Sequence, residues 1–310
     1  MPATFELSVV VCTHNPRREF LERTLAALRV QEADRARWEL VLLDNASSAP
    51  LAAEYDLGWH PHSRHVREDT LGISAARMRA MREARSDLIL FVDDDNLLAP
   101  DYVARGLAYA AARPELGVWG GQLVPEFERE PAAWTRRWWS YLAIRPLDRD
   151  LLAAGPHDYE AIPPTAGEFI RRPVWERYLA RVAGDRRHLI LGLRGSERIS
   201  GQDTDIALCT FDLGLGAARF RDLVLTHIMP ASRLEEPALL RLVESISFGT
   251  VIVESLRGGT APAEARSLWR YWLARLRAAR LPGRQGRFYA AELRGRRRAC
   301  LRVRSFDTAS

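Results

Sequence analysis

Two hydrophobic rhythms alternate along this chain. FELSVVVCTHNP, residues 5–16, runs apolar β-formers together before the turn formers Asn15 and Pro16, as a strand buried on both faces does. RREFLERTLAALRVQE follows with Phe20, Leu21, Leu25 and Leu28 at helical spacing. WELVLLDNASS is a second buried strand, closing on Asp44 and Asn45. ISAARMRAMREARSD is a helix leading into a third strand, LILFVDDDN. Strand, helix, strand, helix, strand predicts an α/β fold: a Rossmann-like, mostly parallel sheet flanked by helices, with ligands beyond the carboxyl ends of the strands.

Further along, DYVARGLAYAAARPE is a helix and LGVWGGQLVPEFE a strand interrupted by Gly120 and Gly121. Residues 131–164 read as an irregular insertion or acceptor loop, crowded with Trp134, Trp138, Trp139 and Tyr141. GEFIRRPVWERYLARV predicts a strand entering a helix, GQDTDIALCTFDLG a helix, and ARFRDLVLTHIMP the last strand. From Glu235 onward the pattern is helical and ends in a basic stretch reaching Arg304. The tryptophans suit either stacking on a sugar or lipid, or packing beneath a long loop.

Composition narrows the class. The chain has 310 residues, 47% of them hydrophobic, enough for one large domain or two modest ones. No apolar run approaches 20 residues, and the N-terminus lacks a basic region ahead of its apolar stretch. The expectation is therefore neither a spanning helix nor a signal peptide, and a cytoplasmic location. Cys12, Cys209 and Cys300 are too few and too scattered for a disulfide framework or a zinc site, and read as buried thiols. The net charge is +5, every basic residue is arginine, and the excess gathers at the C-terminal end. Arginine's planar fork suits phosphate, so nucleotide, lipid headgroup and nucleic acid are all chemically open, with nucleic acid the weakest of the three. The closing RQGRFYAAELRGRRRACLRVR intermixes apolar and basic residues, which fits either a solvated tail or contact with an anionic membrane at its inner face.

The acidic triplet Asp93, Asp94 and Asp95 ends the third strand. Strand alternation would aim Asp93 and Asp95 one way and Asp94 the other. Adjacent carboxylates near a core raise each other's pKa unless a cation or arginines meet them. Mg2+ or Mn2+ fits, since both prefer oxygen ligands and share diphosphate oxygens. The alternative is a solvated acidic turn capping the next helix through Asp101.

In this order and at these separations, SVVVCTHNP, LVLLDNAS, LGISAARMRAM, LILFVDDDN, SGQDTDIAL and THIMPASRL resemble the inverting family 2 glycosyltransferases of the GT-A fold, over residues 8–234. The resemblance implies a GT-A domain over 1–234, with a nucleotide-binding half near 1–125 and an acceptor half near 126–234, and a helical basic extension over 235–310. It implies Thr13, Asn15 and Pro16 against the base, Asp44 on the base or ribose, Gly72 near the nucleotide, and Arg77 on the base or phosphates. Asp93 and Asp94 would meet the donor, and Asp93, Asp95 and His227 would ligate the metal. Arg233 would touch the diphosphate, Gly121 would let backbone approach the donor sugar, and Gly167 and Glu168 would sit near sugar and acceptor. Asp203 would be the general base, taking the acceptor proton as the diphosphate departs. Gln202 stands where the family usually carries an acid; it could still hydrogen-bond an acceptor hydroxyl.

The implied activity is metal-dependent hexosyl transfer from a UDP- or dTDP-linked sugar to a hydroxyl of a glycan, lipid-linked or small-molecule acceptor, in glycan or polysaccharide synthesis. Two other readings remain: a non-catalytic nucleotide-sugar binder or membrane-associated scaffold, and a sugar-phosphate nucleotidyltransferase. The last ordinarily needs a glycine-rich loop after the first strand, and THNPRREF has no glycine.

Overall fold

A computed structural model describes residues 5–194 and 197–307; residues 1–4, 195–196 and 308–310 lie outside it. The first half comprises β1 (Leu7–Thr13), α1 (Arg18–Arg29), β2 (Trp38–Asn45), β3 (Ser63–Glu68), α2 (Ile73–Glu83), β4 (Leu88–Asp93), β5 (Asn96–Leu98), α3 (Tyr102–Ala112) and β6 (Leu116–Phe127). Then come β7 (Leu151–Ala153), β8 (Glu168–Arg171), α4 (Arg172–Gly184), β9 (Gly192–Arg194), β10 (Glu197–Ile199), α5 (Gln202–Leu208) and β11 (Gly216–Met229). Four helices close the chain: α6 (Glu236–Leu256), α7 (Ala263–Arg266), α8 (Leu268–Arg280) and α9 (Gly283–Asp307).

Nine strands form one sheet in the order β3-β2-β1-β4-β8-β6-β11-β5, with β7 also on β11. The strands β1 to β4, β6 and β11 share one direction, and β5, β7 and β8 oppose it. The continuous apolar runs are explained by two-sided burial. Val10, Cys12, Val41, Leu43, Ile89 and Phe91 join the core beneath α2, α4, α5 and α6. Their neighbours Val9, Val11, Leu40, Leu42 and Leu90 join the core beneath α1 and α3. The helical spacing in α1 is realised as well, with Phe20, Leu21, Leu25 and Leu28 all buried. All three cysteines are buried and free.

Residues beyond 235 contribute to the same core: Phe248, Val251, Ile252 and Val253 of α6 and Ala299 of α9 pack into the cluster that holds Val10 and Ile89. The basic stretch is no solvated tail. It folds as α9, burying Phe288, Ala291, Leu293, Ala299 and Cys300. Its arginines meet acids on neighbouring helices: Arg294 and Arg298 each lie 2.9 Å from Glu244, Arg284 lies 2.9 Å from Glu236, and Arg287 bonds the same carboxylate. The helix is expected from the sequence, but its packing is hidden because the face that crosses α6 is built from small residues. At Gly295 an added Cβ would come 2.2 Å from the Glu244 carbonyl oxygen, so α6 and α9 cross with backbones nearly touching.

The insertion turns as a 3-10 segment over Ala133–Leu142, and its tryptophans pack. Trp138 is buried and stacks on Phe288 with ring centroids 3.8 Å apart, Trp134 lies against the same ring, and Trp139 leans on Phe127. Of the two readings of this cluster, Trp138 follows the packing one. Among the described residues, no helix is long and apolar enough to cross a membrane.

Because Phe288 is fully buried between Trp134 and Trp138, Phe288→Ala is expected to lower stability by about 3–5 kcal/mol, read as a shift of the urea midpoint at unchanged slope. An unshifted midpoint would mean that α9 is not held through this ring.

Candidate active site

At the carboxyl ends of β1 and β2 the loops are stitched together. Asn15, at φ 45°, accepts from the backbone and hydroxyl of Ser48 at 2.9 and 3.0 Å, while its own N–H donates to Ser47. His14 Nδ1 lies 2.7 Å from the Asn45 carbonyl. Asn45 in turn donates to the carbonyls of Glu68 and Thr70 and accepts from the Gly72 N–H at 2.8 Å. Gly72 has φ 140°, a left-handed setting at the start of α2 that glycine adopts freely. Pro16 follows Asn15 at the head of the turn into α1. Asp44 is buried and holds the loop after β2, accepting from the N–H groups of Ser47 and Leu51 and from Arg67 at 2.7 Å. Burial raises its pKa, but the Ser47 and Leu51 bonds and the Arg67 charge outweigh that and hold it below the ordinary aspartate value.

The acidic turn is built differently from the alternation expected of it. β4 ends at Asp93; Asp94 and Asp95 form a turn, so strand alternation no longer decides where they point. Buried Asn96 organises it, accepting from the Asp93 N–H at 3.1 Å and donating to Asp95 at 3.0 Å. Thr13 at the end of β1 donates to Asp94. The return strand β5 pairs with β11 so that Asn96 faces His227, which sets Asp95 against that imidazole. Asp95 Oδ2 lies 3.4 Å from His227 Nε2 and 3.3 Å from Arg233 Nη1, and the two nitrogens are 3.2 Å apart.

Burial pushes Asp93 above the ordinary value, with repulsion from Asp95 adding to it and the charges of Arg77, His227 and Arg233 opposing. Burial likewise lifts Asp94, to about 6, against the bond from Thr13. For Asp95 burial also works upward, but the hydrogen bond and charge of His227 and the charge of Arg233 prevail and lower it. Among the described residues no three His, Cys, Asp or Glu side chains are already gathered for a metal. The donors nevertheless suit a hard or borderline divalent ion: Asp95 and His227 converge, and Asp93 is near enough to repel Asp95.

The second wall comes from β8 and α5. Glu168 lies opposite Phe91 of β4, and Gly167 donates to the Phe91 carbonyl at 2.9 Å. Gly167 has φ 75°, and its carbonyl accepts from Tyr102 at 2.6 Å. Glu168 is completely buried, and neither carboxylate oxygen has a hydrogen-bond partner. Burial raises its pKa well above the ordinary value, the nearby Asp203 raises it further, and Arg77 opposes. Arg77 on α2 reaches Gln202 Oε1 at 3.4 Å, and the Gln202 amide donates to Tyr178 at 3.2 Å. Gln202 therefore has both ends engaged within the protein, and Asp203 follows it, half-buried, in the first turn of α5.

That turn is pinned from behind by α6. Ser200 donates its N–H to Ser245 Oγ at 3.0 Å, and Gly201 sits at φ 115°. A Cβ on Gly249 of α6 would fall 1.9 Å from the Ser200 carbonyl oxygen. Within α5, Asp205 is buried 2.5 Å from His188 Nδ1, with Arg257 bonding its carbonyl at 3.3 Å. Sequence reading missed Asn96, Arg145, His188 and Arg257. Asn96 alone had a signal, as a turn former directly behind the acidic run. Arg145 lies in the irregular insertion, where no period betrays it; burial lowers its pKa while the Asp203 charge raises it. Gly121 has a packing reason to be glycine: a Cβ would meet the Leu223 carbonyl oxygen at 1.7 Å, so β11 fills the room it leaves.

The doubly covered, mostly parallel sheet carries acidic and basic groups at its carboxyl edge, and likeness to solved glycosyltransferases shows the fold to be GT-A. The model of glycosyl transferase family 2 matches residues 8–166, about half of the sequence, and the chain belongs to that family. The fold is similar to a mannosyltransferase from Pyrobaculum calidifontis solved with GDP-Man and Mn2+, at 19% identity and TM-score 0.57, covering 97% of this chain and 88% of that one. It is also similar to TarS from S. aureus, at 14% identity and TM-score 0.52 over 78% of this chain; the match spans 39% of TarS. No curated protein matches the sequence.

Two substitutions test this construction. Gly249→Val should displace Ser200 and Gly201, lowering stability by about 1–3 kcal/mol in a denaturation curve. Glu168→Gln mimics the protonated acid. With its folded pKa raised, Glu168 contributes stability below its unfolded pKa of about 4.3 that is lost as pH rises toward the folded value, by up to about 1.4 kcal/mol per pH unit. The variant should remove that share of the decline between pH 5 and pH 8, and parallel pH–stability curves for the two proteins would refute it.

Proposed function

We propose that the chain transfers a hexosyl group from a nucleoside diphosphate sugar to a hydroxyl acceptor, with inversion at the anomeric carbon. The observation that carries this is Glu168, a fully buried carboxyl with no partner for either oxygen, between the charges of Asp203 and Arg77 and beside the strand that ends in the acidic turn. An orphaned buried acid costs stability unless a ligand's polar groups meet it, and sugar hydroxyls are suited to do so.

Asp203 takes the proton of the acceptor hydroxyl as that oxygen forms its bond to the anomeric carbon. The bond from that carbon to the diphosphate oxygen breaks at the opposite face, and its electron pair leaves with the diphosphate. Arg77 and Arg233 meet the departing charge. The stitched loops bearing Thr13, Asn15, Pro16, Asp44 and Gly72 flank the nucleoside, with Asp44 on the ribose or base. Asp93, Asp95 and His227 would hold Mn2+ or Mg2+, whose charge stabilises the diphosphate leaving group. Gln202 steadies Arg77, and Glu168 and Gly167 meet the sugar. The mannosyltransferase of the same fold was solved with GDP-Man and Mn2+, which supports a diphosphate-sugar donor and a divalent ion here and widens the candidate bases beyond UDP and dTDP.

A thermal-shift panel of UDP-, dTDP- and GDP-sugars should give one donor that raises the midpoint only with Mn2+ or Mg2+ present. With that donor, Asp203→Asn should lower kcat by about 100-fold or more while leaving the shift intact. Indifference of transfer to Asp203→Asn would leave the chain a nucleotide-sugar binder, and silence across the panel would remove the donor reading.

A further inference from the structure

The ion pairs of α9 leave one strongly basic segment without counter-charge. No acidic residue occurs between Glu264 and Glu292, a span that contains all of α8. Arg270, Arg277 and Arg280 form no ion pair among the described residues. One face of α8 is packed, with Ala274 and Ala278 buried against Leu293, Tyr289 and Ala290 of α9. The opposite face carries Leu268, Trp269, Trp272 and Leu276, which are 58%, 66%, 57% and 57% exposed. Positions 268, 269, 272 and 276 follow one stripe of a 3.6-residue helix, so these side chains are contiguous. At 100° per residue, Arg280 borders one side of the stripe, with Arg277 further round on that side, and Arg275 borders the other; Arg270 lies close to the packed face.

Two exposed tryptophans on one helix face are a large apolar area for a protein to leave in water. Tryptophan is at its best where an apolar ring and a polar N–H meet different solvents, as at the level of lipid headgroups. Arginines along both edges can lay their stems on the apolar stripe and raise guanidinium groups to phosphate. The helix is too short and too charged to span a bilayer, which leaves the in-plane arrangement. A second copy fits poorly, because facing α8 stripes would bring the like charges of Arg275 and Arg280 from each chain together.

We propose that α8 is an in-plane anchor for an anionic lipid bilayer, with Leu268, Trp269, Trp272 and Leu276 entering the acyl boundary and Arg275, Arg277 and Arg280 meeting the phosphates. This surface is separate from α9, where the sequence alone suggested membrane contact, and it does not depend on the transfer reading.

The test is co-sedimentation of the full chain with phosphatidylcholine vesicles, with and without phosphatidylglycerol, together with tryptophan emission. The protein should bind the anionic vesicles at low salt, with a blue-shifted emission, and about tenfold less to phosphatidylcholine alone. The double variant Trp269→Ser/Trp272→Ser should bind at least about tenfold more weakly and lose the shift at an unchanged thermal midpoint. Arg277→Gln/Arg280→Gln leaves the apolar face in place and should flatten the salt dependence. Absence of binding to anionic vesicles, or equal binding by the tryptophan variant, overturns the proposal. So does a concentration-dependent dimer that the same variant abolishes, which would assign the face to a second copy.

Discussion

A carboxylate at the end of a strand buried on both faces is the constraint from which this site follows. Asp93, Asp94 and Asp95 leave the sheet where water is scarce, and three negative charges there repel one another. Each carboxyl has a different answer: Asp94 receives the hydroxyl of Thr13, Asp95 receives His227 and Arg233, and Asp93 is left with the more distant fields of Arg77, His227 and Arg233. The internal neutralisation is incomplete, since burial still lifts both Asp93 and Asp94. Under the proposed function, a divalent ion arriving with the diphosphate would supply the missing positive charge.

The same logic explains why helices from the end of the chain matter at the site. Asp203 stands on α5, a helix of only seven residues, too short to fix its own direction. Its position is imposed by neighbours: Gly249 lets α6 touch the Ser200 carbonyl, and His188 and Arg257 hold Asp205 two residues further on. The helices after residue 235 therefore act as the rear wall of the α5 turn, and a change in α6 packing would be felt at the proposed base before it is felt by the sheet.

Much of this was legible in the sequence. The strands β1, β2 and β4 declare themselves because two-sided burial demands unbroken apolar residues, and the carboxyl edge then follows from their shared direction. β3 is illegible for the converse reason: in SRHVRE only Val66 is buried, and the strand exists because β2 offers it an edge. The acidic turn is half legible. Its composition is visible, but its shape depends on Asn96 and on an antiparallel return to His227 more than 130 positions away, which no local period encodes. Glu168 was placed near the sugar by resemblance; that both its oxygens are orphaned is a property of packing alone. The contact face of α9 escapes notice because glycine and alanine at a close helix crossing carry little hydrophobic signal.

The arginines, which replace lysine throughout, sort into three physical roles that composition could not separate. Some are structural cations inside the fold: Arg171 donates to the carbonyls of Leu116 and Ala110, and Arg219, 1% exposed, donates to those of Gly121, Glu160 and Arg145. A guanidinium can do this because its fork satisfies several acceptors at once, which an ammonium on a single flexible stem does less well. Others, on α9, are matched to acids of α6 and contribute little net charge to the surface. A third set lies on α8, where Arg270, Arg277 and Arg280 form no ion pair among the described residues and an apolar stripe is exposed. Net charge alone would spread the basic character evenly over the C-terminal segment. Once the paired and buried guanidinium groups of the C-terminal helices are set aside, unpaired charge and the exposed tryptophans coincide on α8, and that coincidence gives the end of the chain a direction in which to meet a partner.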